Sequence, residues 1–451
     1  MDGVENVQWW RPDALAEGIA RSESAAGKVL RKPGGAASFG ALVAFTIVLF
    51  LSPQSFFPAL ARWRIALLAA VASVGLHVFG KLVRREPISI WTREMAIAAC
   101  LALWAGVSVP LSTWPGGSAS YLVGLFLRTL MIAWLLCNVV NTAARMRKVA
   151  WALALIGVPL SVTAVKNYLS GDFLPAGSLA GMQRIAGYQA PLTANPNDLA
   201  LALNLIVPFT AALFFLSRRS WVRVLLLAMI LLEAAGVIAT FSRAGFLTLA
   251  TAGVLSLGKL MRRRQGRWAL AALALFLLSL PLIPSSYWKR LATITDIRSD
   301  RTGSAQARWQ DMAVAGRYVL AHPVVGAGLG MNALALNETR GSTWIMVHNV
   351  YLEYAMDLGL PGLALFLALF ATCLGSVRSV ARSTRSTPGE IFHLSEGIEI
   401  SLLAFALAAC FHPVAYQFYF YYPAGLAVAL KTIHDRSLHA EEGGGAAGGP
   451  R

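Results

Sequence analysis

The sequence predicts an all-α polytopic membrane protein, on three observations. The 451 residues are 57% hydrophobic and only 14% charged, against about 45–50% apolar and 25% charged in an average soluble domain. The mean hydropathy is +0.59, with Gly and Pro spread along the whole length. Twelve separate stretches are apolar enough to read as spans, since a bilayer core requires about 17–25 mostly apolar residues per helix. These features exclude an ordinary soluble enzyme, a coiled coil and a disordered chain.

The expected spans lie near 39–52, 65–80, 94–109, 121–141, 149–168, 198–216, 224–241, 244–258, 268–284, 361–377, 395–414 and 421–434. The shorter ones require tilt or local thinning of the bilayer. A polar segment precedes the first span, which is therefore read as retained rather than as a cleaved signal peptide. The organisation expected is an interfacial N-terminal segment at 1–37, spans one to nine within 38–284, a large, partly helical outer loop at 285–360, spans ten to twelve within 361–434, and a disordered tail at 435–451. Trp9 and Trp10 suit a membrane surface.

Charge fixes the orientation. The connections after the even-numbered spans hold 18 Lys and Arg residues, among them Lys81, Arg145, Arg218, Lys259 and Arg378. The short connections on the other side hold only Arg62, Arg64, Arg184 and Arg243. The positive-inside rule places the first set, and both termini, in the cytoplasm. Those connections carry five acidic residues and so account for +13 of the net +17; a nucleic-acid partner is not needed. The four cysteines, Cys100, Cys137, Cys373 and Cys410, all sit in apolar stretches and read as small core residues. Within the spans, Arg128 and Glu233 could pair, Lys166 either snorkels or faces a cavity, and His77 reads as a core histidine.

The outer connection from 285 to 360 is far longer than a hairpin needs, and such loops are usually functional. Its net charge is only +1, so an anion site there depends on placement. Partial helical spacing of Trp309, Met312, Val314, Tyr318 and Val319 predicts a helix over 304–321, ended by His322-Pro323. Gly326, Gly328 and Gly330 fit a plain turn as well as a phosphate-binding loop. A second helix is expected from His348 or Asn349 to Leu358, stopped at Gly359.

A His at a helix start is disfavoured as imidazolium by the helix dipole, so His348 is a candidate general base; His348-Asn349 equally fits a plain helix cap. Arg243, in Phe241-Ser242-Arg243-Ala244-Gly245, lies where one span meets the next, with Ser242 as cap. A cation there opposes both the dipole and the orientation bias, which an anionic partner would explain, as would snorkelling to lipid phosphate. Arg184 precedes a helix start at Asn195-Pro196 and reads either as part of a phosphate site or as a solvated loop residue. The outer segments show no Cys/His cluster, no HExxH and no close carboxylate pair, so neither a metal nor another cofactor is expected.

In this order, the Phe-Ser-Arg-Ala-Gly turn at 241–245, Arg308-Trp309, Ala321-His322-Pro323-Val-Val-Gly326-Ala-Gly328, His348-Asn349-Val-Tyr-Leu352-Glu353 and Gly359-Leu-Pro361-Gly362 resemble the O-antigen ligase and polymerase superfamily, nearest to its ligases. The resemblance spans nearly the whole chain. It implies a metal-independent, inverting glycosyltransferase of the membrane-embedded GT-C class, in a bacterial inner membrane with its active site on the periplasmic face. The donor implied is a glycan on undecaprenyl pyrophosphate and the acceptor a sugar hydroxyl of the lipid A core. His348 corresponds to the essential His, Arg243 to the Arg at the span junction, and Arg308, with Arg301 as alternative, to the loop Arg; Arg184 joins them as a pyrophosphate candidate. Other readings of the same chain are an O-antigen polymerase, a protein O-oligosaccharyltransferase with the same donor, and, from another class, a lipid-linked oligosaccharide flippase.

Overall fold

A computed structural model describes residues 35–173, 185–262, 285–292, 304–341 and 344–446. The described elements are helical throughout, apart from one isolated bridge between Phe173 and Ile185. In chain order, the first long helices are α1 (Ala36–Leu51), α2 (Ile65–Val83), α3 (Arg93–Ser108), α4 (Pro115–Val139, with a π turn at Leu122–Phe126), α5 (Ala143–Leu169), α6 (Pro196–Leu216), α7 (Ser220–Ala239) and α8 (Arg243–Met261). The outer segment supplies α9 (Ser285–Ala292), α10 (Ser304–Ala321) and α11 (Asn332–Arg340), and the chain ends in α12 (Val350–Ser383), α13 (Glu390–Ala408) and α14 (Phe418–Ala446).

Eight of the described helices are long and apolar enough to cross a membrane: α2 with the turn before it, α4 to α8, α12 and α13. The expected spans at 39–52, 94–109 and 421–434 fall on α1, α3 and α14, which are not among the eight. The span expected at 268–284, the N-terminal segment with Trp9 and Trp10, Arg184 and Arg301 all lie outside the described residues. One boundary differs from expectation. Helix α14 continues to Ala446, so most of the expected disordered tail is helical. The short helix after His348 breaks at Gly359 as expected: its φ of 67° and ψ of −174° are non-helical, and the next span follows directly across that kink within α12.

The bundle is centred on α6 and α13, which pack against each other. Of the α6 span 78% is buried and of α13 72%, against 17% for the span ending in α2. A central helix can bury every face, and the acidic side chains inside α13, Glu396 and Glu399, are met by cations from neighbouring elements, while a helix beside lipid has no need to bury its apolar surface. Connections alternate between two ends. At one end lie the ion pairs of the basic connections: Lys259 and Arg378 with Glu399, Lys259 with Glu396 at 3.6 Å, and Arg147 with Glu390 at 2.9 Å. At the other end the outer segments bond to one another, and there the candidate site forms.

Inside the bundle, His77 is a core histidine as expected, its Nε2 2.9 Å from the Ile88 carbonyl and its ring edge-on to Trp134. The Arg128–Glu233 pair does not form. Glu233 is fully buried and its Oε1 accepts from Thr210 Oγ1 at 3.0 Å, whereas Arg128 is exposed on α4. A small residue makes that room: a Cβ on Gly157 would collide with the Glu233 carboxyl group. Lys166 is exposed at an open apolar groove shared with Val162, Val165, Leu169 and Leu232. Of the cysteines, Cys137 and Cys373 are buried, while Cys100 is exposed and Cys410 half-buried.

Candidate active site

The outer segment folds onto the first turns of α12. Ala315 and Val319 of α10, Ala335 and Leu336 of α11, and Met331 and Val347 form a small apolar core with Ala355 and Met356. The glycine-rich turn clasps the same helix: the amides of Ala327 and Gly328 donate to the Met356 and Asp357 carbonyls at 2.6 and 2.9 Å. Gly326, Gly328 and Gly330 all have positive φ, and a Cβ on Gly326 would collide with the Met356 carbonyl. Their alternation is thus a backbone requirement for close approach. It makes a turn that grips α12 and not a loop facing outward.

His348 stands two residues before the first helical residue of α12. Asn349 is the N-cap, accepting from the Leu352 amide at 3.1 Å. His348 Nδ1 lies 3.0 Å from the Met346 carbonyl. A carbonyl accepts only, so Nδ1 carries the hydrogen and Nε2 keeps its lone pair. Burial, then the guanidinium of Arg308, then His412 push the His348 pKa down to about 4, against the opposing pull of the Met346 carbonyl and Asp311. The ring is therefore neutral near pH 7, with Nε2 able to take a proton. Desolvation and Arg308 are the leading causes.

The outer face of α13 completes this half. The Val350 amide donates to the Ala409 carbonyl at 2.7 Å, Tyr351 Oη donates to the Ala406 carbonyl at 2.8 Å, and Glu353 Oε2 accepts from the Ala415 amide at 3.0 Å. In the turn so held, His412 is buried between the Ala408 carbonyl, 2.8 Å from Nδ1, and the Asn197 carbonyl, 3.3 Å from Nε2. Its pKa is lowered, first by burial, against both carbonyls. Arg308 of α10 acts on His348 and His412 alike. Arg340 of α11 pairs with Asp311 of α10 and also donates to the Ile345 carbonyl, just before His348.

Arg243 joins the same end through α6. The first turn of α6 is capped by Asn195, which accepts from the Asn197 amide at 2.8 Å, and Asn197 is the residue His412 touches. One turn on, Ala200 lies where a Cβ on Gly245 of α8 would be 2.7 Å away, so the starts of α6 and α8 adjoin. Ser242 caps α8, accepting from the Gly245 amide at 3.1 Å. The half-buried Arg243 follows it directly. Phe241 stacks its ring near Tyr287 of α9 and Tyr168 of α5, at 5.2 and 5.6 Å, so α9 covers the junction.

Of the residues singled out from sequence, His348 and Arg308 thus share one electrostatic environment. Arg243 is linked to it through α6, and Arg184 and Arg301 lie outside the described residues. Sequence reading missed His412, whose His412-Pro413 pair between two spans repeats the pattern of His322-Pro323 and was its available signal. It also missed Asn332 and Asp357, which had none. Among the described residues, no three His, Cys, Asp or Glu side chains gather as a metal-binding group.

No curated protein matches the chain. Residues 226–367 match the family model described as O-antigen ligase, a stretch that runs from α7 through the Arg243 junction and the whole outer segment into α12. That stretch, similar to the O-antigen ligase family, holds His348, Arg308 and Arg243.

Proposed function

We propose that the protein is an O-antigen ligase that moves a glycan from undecaprenyl pyrophosphate to a hydroxyl of the lipid A core, at the periplasmic face of a bacterial inner membrane. The observation that carries this reading is His348: a neutral imidazole whose Nδ1 hydrogen is committed to the Met346 carbonyl, leaving Nε2 as acceptor beside Arg308. Nε2 removes the acceptor proton as its oxygen attacks the anomeric carbon, and the bond to pyrophosphate breaks. General-base assistance of this kind contributes about 10² to 10⁴-fold.

Pyrophosphate is a good leaving group, and its developing charge is met by arginine. Guanidinium offers bidentate, charge-assisted hydrogen bonds to phosphate oxygens. We assign this role to Arg243 and Arg308, with Arg184 and Arg301 as further candidates. A single displacement inverts the donor configuration. Both lipids enter sideways from the outer leaflet, under the segment formed by α9 to α11. Both termini are assigned to the cytoplasm, and the architecture to twelve spans of the GT-C class.

The test is reconstitution of the purified protein with undecaprenyl-pyrophosphate glycan and lipid A core, without ATP and with EDTA. Slower-migrating, glycan-capped lipid A core is the expected product. Longer lipid-linked glycan with untouched core would replace this reading with a polymerase, and absence of any transfer would overturn both.

A further inference from the structure

Asp357 and Asn332 are both fully buried, in a part of the structure no catalytic step uses. Asp357, two turns along α12, makes four hydrogen-bond contacts with three donor groups of the outer segment. Its Oδ1 accepts from the Asn332 amide at 2.7 Å and from Asn332 Nδ2 at 3.2 Å; its Oδ2 accepts from the Gly330 amide at 3.0 Å and again from Asn332 Nδ2 at 3.2 Å. The Asn332 amide group is thereby fixed with its nitrogen toward the carboxylate. The remaining Oδ1 points the other way and accepts from the Val347 amide at 3.1 Å. Val347, itself fully buried, is the residue before His348.

We propose that Asn332 and Asp357 are positioning residues for His348: a rigid helix holds a carboxylate, the carboxylate orients an amide, and the amide holds the backbone that carries the base. This rests on the reading of His348 as general base. The geometry gives the chain of contacts a direction. Asp357 belongs to α12, which is anchored to α13, while the segment 344–348 has no helix of its own. Its other holds come from α11: Arg340 on the Ile345 carbonyl, and Asn337 Oδ1, which accepts from the Trp344 amide at 3.1 Å. Without Asn332 the Val347 amide loses a buried acceptor, and the His348 ring shifts relative to the acceptor hydroxyl. A misplacement of about 1 Å can cost about 10²-fold in rate.

The experiment uses the full chain, reconstituted as above, with Asn332→Ala, Asn332→Asp, Asp357→Asn, the double variant Asn332→Asp with Asp357→Asn, and His348→Ala. Asn332→Ala is expected to lower kcat about ten- to a hundredfold while the donor KM changes less than about threefold, the split expected when alignment and not binding is lost. Asn332→Asp sets two carboxylates against each other. In the double variant an amide faces a carboxylate again, with the roles exchanged, and the Val347 amide keeps its acceptor; its kcat is expected to exceed that of Asn332→Asp. Recovery would be partial, because the Gly330 and residue-332 amides then compete for one carbonyl oxygen.

A wild-type kcat for Asn332→Ala, or a double variant no faster than Asn332→Asp, overturns the proposal. Melting of the detergent-solubilised variants identifies any that fail to fold, and the double variant then decides alone: folded and active supports the clamp, unfolded or inactive overturns it. If His348→Ala is inactive while Asn332→Ala is normal, only the clamp falls. If His348→Ala transfers normally, the general-base reading falls and the clamp with it.

Discussion

The two halves of the candidate site are held by different physics. Around His348 the outer segment is bound by buried polar contacts, with Asp357, Glu353 and Asn332 each accepting backbone hydrogens across sequence gaps of 15 to 62 residues. Around Arg243 the hold is mainly aromatic and steric: Phe241 beside Tyr287 and Tyr168, Gly245 against Ala200, and a local cap from Ser242, with a buried polar tie from Asn204 Nδ2 to the Gly245 carbonyl. Directional bonds fix orientation, which a proton acceptor requires. Apolar contact excludes water without fixing a direction, which suffices for a cation meeting a flexible pyrophosphate. The division of labour between base and cation thus has a counterpart in how each is supported.

The sharpest way to break the comparison is at His348. Replacement by Ala is expected to remove transfer by about 10² to 10⁴-fold, with donor binding retained, measured as product formation against donor binding in the same detergent preparation. The wild-type profile supplies a second reading. Protonation removes the Nε2 lone pair, so transfer is present above the His348 pKa and lost as pH falls through about 4. A rate that instead rose below pH 5 would remove the base assignment. Next in size, Arg243→Ala is expected to weaken donor binding and transfer together, by about ten- to a hundredfold, the worth of one lost hydrogen-bonded charge contact. If donor binding were unchanged, the cation would belong to the fold and not to the pyrophosphate.

The same contrast explains what the sequence made legible. Hydropathy placed the eight helices long and apolar enough to cross a membrane, and local rules placed the caps: Asn195, Ser242 and Asn349 each accept from an amide two or three residues on, which spacing alone can suggest. The helix at 304–321 and its end at His322 followed from the same local signals. His348 was legible in its neutrality, though the leading causes are burial and Arg308. What was not legible is nonlocal. Asn332 to Asp357 spans 25 residues, and Asn332 to Val347 spans 15. The glycines of 326–330 serve positive φ and contact with α12, which spacing cannot separate from a phosphate loop. The Arg128–Glu233 pairing that the sequence left open does not form: Glu233 is buried against Thr210 of α6, while Arg128 is exposed on α4.

The smallest expected effect tests the Arg243 half alone. Ser242→Ala removes the cap on α8, worth about 1 kcal/mol, read as a lowered melting temperature of the solubilised protein. The turn has other supports: the Ser242 amide donates to Thr240 Oγ1 at 3.2 Å, and the Gly245 carbonyl accepts from Asn204 Nδ2 of α6 at 2.9 Å. Neither bond uses the Ser242 hydroxyl, so the start of α8 stays against α6 and Arg243 keeps its place. Donor binding should then fall far less than in Arg243→Ala. An equal loss from both would mean that one cap governs the cation as tightly as Asp357 governs the outer segment beside His348, and the two halves of the site would no longer differ in kind.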